Sequence, residues 1–130
     1  MAIYKFVKLA YKNKKIDLFN RGNHSRDFTY IDDIVDSIKK IILKKPDRKK
    51  LYKIFNVSKN ESINLRLLIG IIEKLINKKI LFNMMPMQKG DVKKTLGDNK
   101  LLLKEIKSKP IIKIDDGVKK FLVWFKNYEL

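Results

Sequence analysis

Apolar side chains recur along this chain at two different periods, and each change of period marks an element boundary. Ile3, Phe6, Val7 and Ala10 fall on one face at helical spacing. They predict a helix over Ala2–Tyr11 that begins at the initiator methionine, with no capping residue before it. A turn at Asn13–Lys15 leads to a short strand, Ile16–Phe19, and then to a turn of Asn20, Arg21, Gly22 and Asn23. Arg26–Ile31 is the next expected strand. Asp32 or Asp33 then stands where it can cap a helix, and an acidic side chain there also suits the positive end of the helix dipole. Ile34, Val35, Ile38, Ile41 and Ile42 form the apolar stripe of that helix. Lys44 and Lys45 followed by Pro46 and Asp47 end it.

Leu51–Ser58 is nearly continuous in apolar residues, the mark of a strand buried on both faces of a parallel sheet. A polar turn, Ser58–Ser62, precedes a second strong amphipathic helix carrying Leu65, Leu68, Ile69, Ile72, Leu75 and Ile76. A short strand follows at Lys79–Asn83, then a loop with proline and glycine at Met84–Asp91. Asn99–Ile106 reads as a short helix closed by Lys107–Pro110. Asp115 or Asp116 caps a last helix with Val118, Phe121, Leu122 and Phe125 inward, and Trp124 off that stripe to cover a neighbouring element. Strands that alternate with helices predict an α/β layered fold. The helices offer more apolar surface than these short strands can cover, so the pattern reads as part of a larger sheet.

Composition narrows the picture. At 130 residues with 45% apolar content, the chain fits one domain with a real core. No cysteine is present, so there is no disulfide framework or thiolate metal site, which suits a reducing compartment. The apolar runs are far too short to span a bilayer. Lys5, Lys8 and Lys12 break up the layout a signal peptide needs, and the expected location is cytoplasmic. The net charge of +17 invites a nucleic-acid reading. Against it, nearly all of that charge is lysine spread along the whole chain, and the only arginines are Arg21, Arg26, Arg48 and Arg66. With so much Ile and Asn beside it, the lysine matches the drift of surface positions under AT-biased coding. A small basic nucleic-acid-binding module is therefore the alternative rather than the leading reading.

Much active-site chemistry is missing. There is no glycine-rich phosphate loop. His24, the only histidine, reads as a polar loop residue and forms no triad with Ser25. Tyr-x-x-x-Lys occurs at Tyr4–Lys8 and Tyr11–Lys15, where the density of lysines makes chance sufficient. Two polar features rise above this background. One is Arg26 beside Phe28 and Tyr30. The other is the loop Met87-Gln88-Lys89-Gly90-Asp91-Val92. An arginine for a diphosphate, an acid for ribose hydroxyls and an aromatic ring for a base would make a nucleotide-diphosphate site. A surface ion pair and an ordinary turn account for the bare residues equally well.

Together the two features resemble the NAD-dependent sugar-nucleotide epimerase/dehydratase family, the extended short-chain dehydrogenases. Arg26-Asp27-Phe28-Thr29-Tyr30-Ile31-Asp32-Asp33-Ile34-Val35 looks like a segment of that family's C-terminal half. Met85-Pro86-Met87-Gln88-Lys89-Gly90-Asp91-Val92, followed by Thr95-Leu96-Gly97-Asp98, is similar to a loop of the UDP-glucuronate 4-epimerase branch, with Lys89 in place of a proline. Ile16–Asn20, Tyr52–Val57 and Gly117–Phe121 fit as well, so the resemblance runs along essentially the whole chain. The family's Gly-x-x-Gly-x-x-Gly fingerprint for NAD and its catalytic Tyr-x-x-x-Lys have no counterpart here.

The resemblance implies an α/β fold that is the C-terminal substrate-binding lobe of a Rossmann-type enzyme, 1–130 being a single portion. The Leu51–Ser58 strand would belong to a parallel sheet contributed by an N-terminal NAD-binding portion that this chain lacks. It implies no catalytic residue, cofactor site or metal site in the chain, and a UDP-sugar as ligand. Arg26 would bind the diphosphate. Asp17, Leu18 and Phe19 would line the uracil, with Phe19 stacking. Gln88, Lys89, Gly90 and Asp91 would close over the nucleotide, with Asp91 on the ribose hydroxyls, and Thr95 would border the sugar pocket. In the complete family enzyme a tyrosine deprotonates the sugar 4-hydroxyl while hydride passes to NAD. A separate Rossmann chain is a further implied partner, which would make this chain a noncatalytic subunit, and surface-polysaccharide metabolism is the implied setting.

Overall fold

The structure is a computed structural model that describes residues 2–45 and 52–130. Three helices and one parallel strand pair build its core. The helices are α1 (Ala2–Tyr11), α3 (Leu65–Ile76) and α5 (Ile114–Glu129). The strands are β1 (Ile16–Phe19) and β4 (Phe82–Met85), paired in parallel with Ile16 opposite Phe82 and Phe19 opposite Met85. Phe6, Val7 and Ala10 of α1, Leu68, Ile69 and Ile72 of α3, and Val118, Leu122 and Phe125 of α5 interlock around Ile16 and Leu18. These are the stripes that helical spacing predicts. Asn64 caps α3, its side-chain oxygen accepting from Arg66 N at 2.9 Å, and Asn77 ends it in a left-handed conformation. Aromatic rings seal the seam between α1 and α5: Tyr4 packs edge-on against Phe125 and Tyr11 stacks on the same ring.

A second, antiparallel pair joins β2 (Ser25–Asp27) to β3 (Ser62–Asn64), with Arg26 opposite Ile63. A parallel bridge from Ser25 to Lys94 adds residues 93–95 to the other side of β2. The remaining helices are α2 (Ile31–Ile42) and α4 (Lys100–Ile106).

Several sequence expectations are corrected. The strand expected at Arg26–Ile31 stops at Asp27, because Thr29 turns its hydroxyl to Lys59 N and Ile31 already opens α2. β3, which shares only Ser62 with the expected Ser58–Ser62 turn, was not expected as a strand; three residues, Ser-Ile-Asn, are too few and too polar to show as one. The strand expected at Lys79–Asn83 is shifted to Phe82–Met85. Neither acidic pair caps its helix. Tyr30 and Lys113 hold the N-cap positions, while Asp32, Asp33, Asp115 and Asp116 lie in the first turns. The ring contacts of Trp124 among the described residues are with Phe121 and Tyr128 of its own helix.

The largest correction concerns α2. Its buried residues are Asp33 and Ser37, one turn apart. The Asp33 carboxylate accepts from Ile111 N at 3.1 Å and Ile112 N at 2.9 Å, tying α2 to the strap before α5. Much of the apolar stripe points outward instead: Val35, Ile38 and Ile42 are exposed along with Ile31, and Ile34 and Ile41 are half-buried. Residues 52–57 show the same reversal. They form no ladder among the described residues, and exposed Tyr52, Ile54 and Asn56 alternate with half-buried Lys53, Phe55 and Val57. Alternation is the signature of an extended strand. Leu51, the first residue of that expected strand, and Pro46 and Asp47 lie outside the described residues.

Candidate functional site

In open α/β sheets ligands collect beyond the carboxyl ends of parallel strands. Here β1 runs out into a tight turn at Asn20–Gly22, and β4 into the loop Pro86–Asp91. The turn is strained. Asn20 (φ 48°), Arg21 (φ 51°) and Gly22 (φ 75°) are all left-handed, and a Cβ at residue 22 would come within 3.1 Å of both Leu18 and Arg66. The Gly22 position thus allows β1 to turn sharply enough to feed β2. The turn is also held by Arg66, whose Nε donates to Arg21 O at 2.9 Å.

Arg26 and Asp91 meet across the gap between these loops. The guanidinium donates from Nη2 to Asp91 Oδ1 at 2.8 Å, and from Nη1 to Ser25 O at 3.0 Å. The two side chains are 27% and 31% exposed, so the pair is reachable from solvent yet partly desolvated. His24 lies behind it with its side chain 5% exposed, and its Nε2 is 3.5 Å from the other oxygen of Asp91. Among the described residues that nitrogen has no hydrogen-bond partner. Gly90 (φ 81°) makes the turn that aims Asp91 inward, and Asp91 N donates to Gln88 O at 3.3 Å.

Asp27 anchors the neighbouring wall. Its Oδ2 accepts from Gly97 N at 3.0 Å and Asn60 N at 3.1 Å, and its own N–H donates to Thr95 Oγ1 at 3.1 Å. Ser62 Oγ donates to Thr95 O. A Cβ at residue 97 would meet Ser58 at 2.5 Å, so only glycine lets the 95–98 strap lie this close to Ser58, which donates to Gly97 O.

Each expected ligand residue now has a place. Arg26, Asp91 and Thr95 gather around β2. Asp17 is on the solvent side of β1, its Oδ1 accepting from Asn83 Nδ2 at 3.0 Å. Leu18 is buried in the core, which leaves only its backbone for a ligand, and Phe19 is half-buried at the strand's end. Gln88, Lys89 and Gly90 are exposed on the loop. Reasoning from sequence missed three residues. Arg21 and Arg66 line an open cleft of about 420 Å³ with Asn20 and Asn23, beside the clamp rather than in it. His24, expected to be a polar loop residue, is buried. No sequence signal marked it, since it lies one residue before β2 and outside the expected strand.

Two further chemistries can be tested against these residues. Among the described residues no cluster of three His, Cys, Asp or Glu could hold a metal. Nor do the residues fit a dinucleotide: neither β1 nor β4 feeds a glycine-rich turn that opens a helix, which a pyrophosphate would need. Tyr4 and Lys8 do touch, Lys8 Nζ donating to the Tyr4 hydroxyl at 2.8 Å. Their partner, however, is Glu129 at the end of α5. The Tyr4 hydroxyl and then Lys8 hold the Glu129 carboxyl below its ordinary range, and Lys8 is raised in return. The pair fastens α1 to α5.

The family model for NAD-dependent epimerases and dehydratases matches residues 1–58. An uncharacterised protein of Methanocaldococcus jannaschii is 42% identical over 125 residues, covering 96% of this chain and 37% of its own length. The chain belongs to the NAD-dependent epimerase/dehydratase family. The UDP-glucuronate 4-epimerase of Thermodesulfobacterium geofontis is 37% identical over 132 residues, 100% of this chain and 39% of that protein. Among solved structures, a Bacillus cereus UDP-glucuronic acid 4-epimerase in complex with UDP-glucuronic acid and NAD superposes with a TM-score of 0.89 at 24% identity, over 98% of this chain and 40% of that one. The fold is therefore that of part of a Rossmann-type epimerase, and the small parallel sheet suits a partial domain. The chain spans about two fifths of the length of the curated relatives it matches. No helix among the described residues is long and apolar enough to cross a membrane.

Proposed function

We propose that this chain is the UDP-sugar-binding, C-terminal portion of a nucleotide-sugar epimerase of the UDP-glucuronate 4-epimerase kind. The observation that carries the reading is the Arg26–Asp91 pair, which joins the two motifs of the resemblance at 2.8 Å across 65 residues of sequence. Relatives named as UDP-glucuronate 4-epimerases, and a neighbour solved with UDP-glucuronic acid, support the substrate class. In this reading Arg26 takes the diphosphate, Asp91 the ribose hydroxyls, Phe19 stacks on the uracil between Asp17 and the Leu18 backbone, and Gln88, Lys89 and Gly90 close over them. Thr95 borders the sugar. NAD and the catalytic tyrosine and lysine belong to residues outside this chain.

The test has two arms. With UDP-glucuronate and NAD added, the chain alone forms no UDP-galacturonate; robust turnover would overturn the fragment reading. In calorimetry it binds UDP, and Arg26→Ala weakens that binding by about 2–4 kcal/mol, the loss of a charged partner at a partly desolvated site.

The outward-facing part of the α2 stripe favours a second form of the same proposal, in which this chain is a noncatalytic subunit that completes a separate Rossmann chain. Epimerase activity that appears only when an NAD-binding chain is co-expressed would select it.

A further inference from the structure

We infer that His24 is a positioning residue that takes over Asp91 when an anion claims Arg26. This rests on the reading of Arg26 and Asp91 as nucleotide contacts and adds the step that makes them compatible. As the chain stands, the guanidinium is not free. Nη2 is held by Asp91 Oδ1 at 2.8 Å and Nη1 by Ser25 O at 3.0 Å. A diphosphate that binds Arg26 in bidentate fashion along the Nη1–Nη2 edge competes with the carboxylate for that edge. Displaced from Arg26, the Asp91 carboxylate would keep only the Val92 N–H while facing a dianion in a partly buried site, a costly arrangement.

The displaced carboxylate has a donor waiting. His24 is almost fully buried, its Nε2 is among the few buried polar atoms with no hydrogen-bond partner, and Asp91 Oδ2 is 3.5 Å from it. A buried unpaired polar atom of this kind is uncommon and asks for an explanation. A movement of under one ångström brings the pair within hydrogen-bond range. Nε2–H then holds Oδ2, while Oδ1 leaves Arg26 and turns toward ligand hydroxyls. Backbone hydrogen bonds fix both ends of the exchange. Leu65 N donates to His24 O at 2.8 Å, and Val92 N donates to Asp91 Oδ1 at 2.8 Å, so the imidazole stays put and the carboxylate pivots at a fixed loop. His24 thereby prepares the loop for ligand without touching it.

Because the chain has one histidine, its imidazole nitrogens report this exchange without ambiguity. In long-range ¹H–¹⁵N spectra of the ligand-free chain, Arg26→Gln frees Asp91 and moves the Nε2 signal to its hydrogen-bonded position; Arg26→Ala gives the same shift if the glutamine itself engages Asp91. UDP added to the wild-type chain produces the matching shift. His24→Leu weakens UDP binding about tenfold, the loss of one hydrogen bond to a charged group. His24→Gln, which keeps an N–H at that reach, restores most of it. In an Asp91→Asn background, His24→Leu costs nothing further, whereas a purely structural histidine would cost the same in both backgrounds. An imidazole spectrum unmoved by both Arg26 variants overturns the exchange. A wild-type chain that fails to bind UDP, while the Arg26 variants still move the signal, overturns the ligand assignment and leaves the exchange standing.

Discussion

Two helices of twelve residues, α3 and α2, carry nearly the same amphipathic spacing and come to opposite ends. α3 buries Leu68, Ile69 and Ile72 against α1 and α5. α2 buries Asp33 and Ser37 and turns Val35, Ile38 and Ile42 to solvent. An apolar stripe says that a helix has something to cover, and not where the cover is. For α3 the cover lies within the chain. For α2 the described residues grip the polar edge and half-bury Ile34 and Ile41, and they leave the rest of the stripe facing solvent, the kind of patch that marks an interaction surface.

The sharpest way to break this contrast is to truncate the buried stripe. Leu68→Ala removes a fully buried side chain from α3 and is expected to cost about 2–5 kcal/mol in urea denaturation. Asp33→Ala tests the inverted helix at its one strong anchor. It leaves Ile111 N and Ile112 N without their acceptor, and a loss of about 1.5–3 kcal/mol follows. A value near zero would mean that α2 is not held by its polar edge.

A smaller effect is expected at the end of α3. Ile80 N donates to Glu73 Oε1 at 2.8 Å and Lys79 Nζ to Oε2 at 3.1 Å. First the Ile80 N–H and then Lys79 hold this carboxyl below its ordinary value. A depressed folded-state pKa adds stability that is present above the unfolded value of about 4.3 and lost as pH falls through the folded one. Glu73→Gln should therefore lower stability by about 1 kcal/mol at neutral pH, and the gap to wild type should close on acidification below pH ~4. The smallest effect sharpens the comparison most. Ile38→Ser on α2 is expected to change the stability of this chain by no more than about 0.5 kcal/mol, as at an exposed site. A loss comparable to that of Leu68→Ala would show that the stripe is covered after all.

Periodicity exposed the helices because each repeats its pattern over several turns. It could not expose β3, which is three residues long and two-thirds polar. It overran β2 because Phe28, Thr29 and Tyr30 have strand-like side chains and are used otherwise: Phe28 packs on the core, Thr29 holds Lys59 N, and Tyr30 lies over Gly117. The clamp was half legible. Arg26 and Asp91 each stood out from their surroundings, and only a fold could bring them together. His24 and Arg66 were not legible, since their roles depend on burial and on a left-handed turn that composition does not announce. The aspartates were misread for a related reason. An acidic residue in a first turn suits the helix dipole whether or not it caps, and Asp33 instead reaches 78 residues ahead to the strap before α5.

The parallel pairing of β1 with β4 also has a consequence in time. It joins residues 66 apart in sequence, so a long loop must close before its first ladder bond can form. Closure entropy is spent before those contacts return it, which makes non-local strand pairs late events in folding, whereas α3 needs only its own neighbours to begin. The Asn20–Gly22 turn and the Pro86–Asp91 loop inherit that lateness, because each takes its position from a strand of this pair. The Arg26–Asp91 pair is thus assembled at the end of folding and is the first thing a partly unfolded chain gives up.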